Sequence, residues 1–216
     1  GAKPVYVRDS FGRETVLAMG GAASHEIFVH LYINGVYWGL YNPVERPDAS
    51  FCATYFGGDK DDWDSLSNNE VSQGSYAAWD ALVVAARAVG TTGPSAVAAF
   101  YRLLGRNPDG TENPDYECLL DAENYADYMI TNLYVGNTDW PSKNWWMGRN
   151  RIDGTGFKFF MWDSEWSMGI QSDLYTNRIG VSDGIAAPWP GLRANAEFQL
   201  LFADRVHRLF FGGGIL

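Results

Sequence analysis

Apolar and polar positions follow two different periods along this chain. Over residues 27–42 the period is two, and aromatic and β-branched residues flank Asn34-Gly35. Asn and Gly tolerate the positive φ angles of a type I′ turn, so this stretch predicts a β-hairpin. Residues 5–19 mix strand-like and charged positions and predict one short helix or strand leading into it. Downstream, Pro43 and Pro47 stop the second strand and stiffen a connector over residues 42–48, a hinge.

Beyond the hinge the period lengthens to 3.6 and the chain reads as helical. Asp48 or Ser50 caps a short helix that Gly57-Gly58 ends, and a polar loop follows with Asp59, Asp61, Asp62 and Asp64. A helix starts within residues 72–75 and is closed by Gly90. Pro94 opens the next in its first turn, and Gly105 stops it. Residues 106–116 have no apolar period and read as loop. Asp121 then caps a helix through about Tyr134, with Tyr125, Met129, Leu133 and Tyr134 facing inward. After a loop over 136–144, Trp145-Trp146-Met147, a turn around Asp153-Gly154, and residues 157–162 predict a second hairpin. Gly-, Pro- and Ser-rich sequence runs to about Arg193, and an amphipathic helix occupies residues 195–211. The expected class is α+β: a partial lobe over residues 1–47 built around the first hairpin, then a mostly helical lobe over 48–216 that carries the second.

Composition narrows the function. The 216 residues are 46% hydrophobic with 9 Trp, 12 Tyr and 12 Phe, too rich for a disordered chain, and no apolar run is long enough for membrane insertion. A net charge of −10 repels nucleic acid, so no nucleic-acid partner is expected. An anionic substrate would need a screening cation, which in an acidic chain implies a bound metal. Cys52 and Cys118 are too few for a disulfide scaffold and read as buried thiols; His25, His30 and His207 stand in no zinc-binding spacing. Gly1 at one end and Phe-Phe-Gly-Gly-Gly-Ile-Leu at the other read as cuts through a longer protein.

The chemistry gathers at the second hairpin. Asn144 opens its first strand and Asp163 closes its second, so antiparallel pairing brings both side chains to one end of the sheet, where they can share an ion. Asp139 lies five positions before Asn144, in a loop that turns back over the same end. Phosphoryl transfer needs a carboxylate to receive the acceptor's hydroxyl proton. It also needs an amide oxygen and a carboxylate to hold magnesium against nucleotide phosphates. Helix, Asp-x-x-x-x-Asn loop, hairpin and Asp follow here in the order of a kinase catalytic segment. Glu165, two residues past Asp163 and between Trp162 and Trp166, adds a carboxylate for a second ion.

The runs FVHLYINGVYWGLYNPVERPD (28–48), NTD (137–139) leading to NWW (144–146), WDSE (162–165) and FADRV (202–206) together resemble the CotH (spore coat protein H) kinase family over nearly the whole chain. The resemblance implies an atypical, kinase-like fold that uses ATP and Mg2+ (or Mn2+ or Ca2+) on Ser or Thr hydroxyls of a protein substrate, in a secreted or cell-surface setting. It implies Asp139 as the catalytic aspartate and Asn144 and Asp163 as metal ligands, beside which Glu165 offers the further metal-binding carboxylate noted above. Glu45 on the hinge beside the adenine and Lys143 would bind nucleotide. The sequence departs from a kinase pattern ahead of the first hairpin, where only 26 residues stand. They contain no G-x-G-x-x-G loop and no strand lysine. Lys3 sits at the terminus, and Arg8 or Arg13 is the available stand-in cation. Two other readings stay open: a hydrolase using an acidic pair among Asp139, Asp163 and Glu165 on a polysaccharide, with tryptophans as sugar platforms, and a non-catalytic module binding calcium or glycan.

Overall fold

The computed structural model describes residues 5–171 and 173–216, which leaves Lys3 outside the described residues. Residues 5–19 take the helical alternative, α1 (Arg8–Ala18). The first hairpin forms as the turn chemistry demands. β1 (Val29–Ile33) pairs antiparallel with β2 (Val36–Tyr41). Asn34 and Gly35 adopt φ of 51° and 80° between them. The Asp48 carboxylate accepts the backbone N–H groups of Ser50 and Phe51, so Asp48 rather than Ser50 caps α2 (Ala49–Phe56).

The expected polar loop is instead a third antiparallel pair. After a short 3-10 turn, Lys60–Asp62, the chain forms β3 (Trp63–Ser67) and β4 (Glu70–Gln73), joined at Asn68-Asn69 with φ of 46° and 66°. Trp63 and Leu66 are fully buried, and their burial outweighs the acidic local composition. Asp64 is buried too, because its Oδ1 accepts from the Ser75 N–H (2.9 Å) and from Arg151 (3.0 Å). Helix α3 (Ala77–Arg87) starts later than the sequence suggests, since β4 and Gly74 occupy the preceding residues. α4 (Pro94–Leu103) begins on its proline, and α5 (Ala122–Tyr134) is capped by Asp121. Tyr134 points outward, against expectation: it lies one residue past the Tyr125, Met129 and Leu133 stripe and meets Phe210 edge-on at the rim.

The predicted second hairpin is β5 (Trp145–Asn150) and β6 (Lys158–Met161), and with β3 and β4 it makes one four-stranded antiparallel sheet in the order β4-β3-β5-β6. The Gly-, Pro- and Ser-rich stretch holds an unexpected short helix, α6 (Trp189–Leu192), before α7 (Ala196–Phe210), capped by Asn195. The fold is therefore mixed α+β, with seven α-helices and two small antiparallel sheets among the described residues.

The larger sheet is apolar on both faces, and strand alternation sorts its side chains. Trp145, Met147 and Phe159 join the core formed with Tyr125, Trp189 and Phe198, while Trp146 and Phe160 pack with Trp63, Phe51 and Cys52 under α2. Helix α1 packs on α5 and β6. It comes so close that a Cβ on Gly12 would lie 2.7 Å from Met161 Cε and 2.8 Å from Ser164 Oγ. Both cysteines are free; Cys52 is buried and Cys118 only half-buried. Among the described residues no helix is long and apolar enough to cross a membrane.

Candidate functional site

Pairing of Trp145 with Met161 brings the start of β5 and the end of β6 to one edge of the sheet. Asn144 and Asp163 flank that pair, and both adopt left-handed backbone conformations, φ 62° and 53°. Asn and Asp are the non-glycine residues that tolerate this region best. The conformations turn the chain sharply out of the sheet. The Asn144 backbone N–H is held by Asn68 Oδ1 (2.6 Å), so the β3–β4 turn, itself unforeseen in the sequence, buttresses this edge.

The Asn144 side chain ties the site together. Its Nδ2 donates to Asp139 Oδ2 (3.1 Å) and to the backbone carbonyl of Asp163 (3.3 Å). The other Asp139 oxygen pairs with Lys143 Nζ at 2.9 Å. The loop is anchored from below by buried Asn137, which accepts from the Asp139 N–H (3.3 Å) and donates to Asn132 Oδ1 on α5 (3.1 Å). Thr138 is pinned from the far side, its N–H donating to the Trp166 carbonyl at 2.9 Å.

Electrostatically the edge is acidic. Burial pushes the Asp163 carboxyl up to about 6, and the neighbouring charges of Glu165, Asp9 and Asp139 push the same way, with Lys143 opposing. A half-buried carboxyl among carboxylates is the environment that a bound cation relieves. Glu165 is itself exposed, so it adds charge at the rim rather than a buried ligand.

Of the residues expected at the site, Asp139, Lys143, Asn144 and Asp163 are brought together. Glu45 is engaged elsewhere, accepting from the His25 backbone N–H (3.0 Å) and the Tyr55 hydroxyl (2.9 Å). Burial raises its carboxyl, but those hydrogen bonds outweigh burial and hold it below the usual range. Arg13 is not a free stand-in cation: it is buried and paired with Asp9 and Glu26. Asp9 was not foreseen. Its Oδ1 accepts the Ser164 backbone N–H (2.8 Å) and hydroxyl (3.2 Å), a contact across 155 residues that leaves no local signal.

The donor set bears on which ion would suit it. Among the described residues no three His, Cys, Asp or Glu side chains stand grouped to hold a metal by themselves. The half-buried Asp163 carboxyl and the Asn144 side chain, at the same end of the β5–β6 pair, are oxygen donors of the kind a hard, magnesium-type cation takes. Such an ion keeps several waters and completes its shell with phosphate oxygens.

A family model described as CotH kinase protein matches residues 2–208. No curated protein matches the chain. The chain belongs to the CotH kinase family.

Proposed function

We propose that this chain transfers a phosphoryl group from ATP, taken up with a divalent cation, to the Ser or Thr hydroxyl of a protein. One observation carries this reading: Asp139, Asn144 and Asp163, spread over residues 139–163, meet at one end of the β5–β6 pair, where the Asn144 amide bonds the Asp139 carboxylate and the Asp163 backbone carbonyl. In this reading Asp139 accepts the proton of the attacking hydroxyl. Its two oxygens are oriented by Lys143 and Asn144, which leaves the carboxylate fixed rather than rotating. Such a positioned base contributes about 10²–10⁴-fold in rate.

Asn144, through its amide oxygen, and Asp163 would hold Mg2+ (or Mn2+ or Ca2+), with Glu165 available at the rim for a second ion. Bound there, the ion would neutralise phosphate charge. Lys143 has room for a second task, since its side chain is more than half exposed and its ammonium can face the nucleotide phosphates while paired to Asp139. Glu45 lies in the 42–48 connector, where a hinge beside the adenine would be, and residues 1–47 and 48–216 would be the smaller and larger lobes of a kinase-like arrangement.

Calorimetric titration with MgATP tests the reading. Wild type is expected to give saturable heat that Asp163→Ala loses; identical titrations for the two proteins would remove the nucleotide from the proposal.

A further inference from the structure

The first helix reaches directly into the candidate site. Ser164 follows Asp163 immediately, is fully buried, and spends both its donors, the backbone N–H and the hydroxyl, on one oxygen of Asp9 in the first turn of α1. The second Asp9 oxygen pairs with Arg13, one turn further along the helix. Arg13 is only 1% exposed and is held in turn by Glu26 and by Asn42 Oδ1 (3.3 Å). The close approach at Gly12 makes this reach possible.

That arrangement has a cost and a target. A buried guanidinium with two carboxylates is expensive to desolvate, and an apolar substitute of similar volume would often serve stability as well. The target is a turn that needs holding. Asp163 sits at φ 53°, a left-handed conformation that aspartate tolerates better than most residues but that still carries a cost its surroundings must offset. The Asp9–Ser164 contact holds that turn from the side of α1.

We infer that Asp9 is a positioning residue. Braced by Arg13 and Glu26, it fixes the Ser164 amide and so aims the Asp163 carboxylate at the cation. This rests on the phosphoryl-transfer reading for what the carboxylate is aimed at. Groups that orient a ligating side chain typically contribute about 10–100-fold in metal affinity.

The test uses the whole chain, with Mn2+ plus ATP as the probe. Ser164 amide exchange is measured without ligand, Mn2+–ATP affinity by calorimetry, and folding by melting temperature. Asp9→Ala is expected to speed Ser164 exchange at least about tenfold and to weaken Mn2+–ATP affinity about tenfold or more, with the protein still folded. Asp9→Asn keeps the acceptor for Ser164 but loses the carboxylate that pairs with Arg13, and is expected to restore part of both. If Asp9→Ala does not fold, Asp9→Ser, polar but too short to reach the amide, takes its place. Unchanged Ser164 exchange, or unchanged Mn2+–ATP affinity where wild type binds well, overturns the inference. If wild type itself takes up no Mn2+–ATP, the phosphoryl-transfer reading falls, and Ser164 exchange alone then decides whether Asp9 holds the turn.

Discussion

Every residue of β5 is buried, whereas in the β1–β2 pair Tyr32, Val36 and Trp38 are each about 60% exposed. Both hairpins are rich in aromatic and aliphatic residues, so hydrophobicity does not separate them. Neighbours do. β5 has a strand on each side and packed side chains on both faces, while β1 and β2 pair chiefly with one another. The candidate site is mounted on the first kind of scaffold, where packing leaves little freedom to the side chains that must converge.

The contrast is sharpest in its functional consequence. Asp139→Asn, at the edge of the buried pair, is expected to lower phosphoryl transfer by about 10²–10⁴-fold with an unchanged melting temperature, whereas Trp38→Ala leaves the rate alone. Transfer of labelled phosphate from ATP to a protein acceptor measures this, and an Asp139→Asn rate within tenfold of wild type would dismiss its role as base.

In stability, Phe159→Ala in β6 should cost about 3–5 kcal/mol through lost burial and a cavity, and Trp38→Ala in β2 no more than about 0.5 kcal/mol. Comparable shifts of the urea midpoint in the two variants would erase the distinction between the hairpins. A subtler probe is Gly148→Ala in β5, whose added Cβ would sit 2.6 Å from Cys52 Sγ. Overpacking there should cost about 1–3 kcal/mol, and a neutral result would mean α2 rides on the sheet more loosely than the packing indicates.

The smallest effect is the pH response of the buried edge. Asp163 titrates near 6 when folded and near 4, as an ordinary aspartate, when unfolded. Its raised folded value favours the fold below the unfolded value, and that contribution is lost as pH rises through about 4 to 6. Asp163→Asn should therefore flatten the decline in urea midpoint across this window, and parallel profiles for variant and wild type would contradict it.

Much of this architecture was legible because it is local. Asn34-Gly35 announces its turn through φ preference, and Asp48, Pro94, Asp121 and Asn195 mark helix starts because unpaired N–H groups need an acceptor or no donor at all. The convergence of Asn144 and Asp163 was legible too, since antiparallel pairing fixes which hairpin ends meet. What escaped depends on distant partners. The acidic run around Trp63 reads as solvated until β5 and Arg151 supply a place for Asp64, and Asn68-Asn69 is a less obvious turn signal than Asn-Gly. The pairing of Asp9 with Ser164 is set by how α1 docks, which no local pattern encodes.

The thiol of Cys52 gives the molecule an internal chemical reporter. It is wholly enclosed between α2 and β5, and burial, helped by Asp48, pushes it up to about 12. Since alkylating reagents consume thiolate, labelling of Cys52 in native buffer counts the moments when helix and sheet part. Half-buried Cys118 supplies a second, more accessible clock in the same sample.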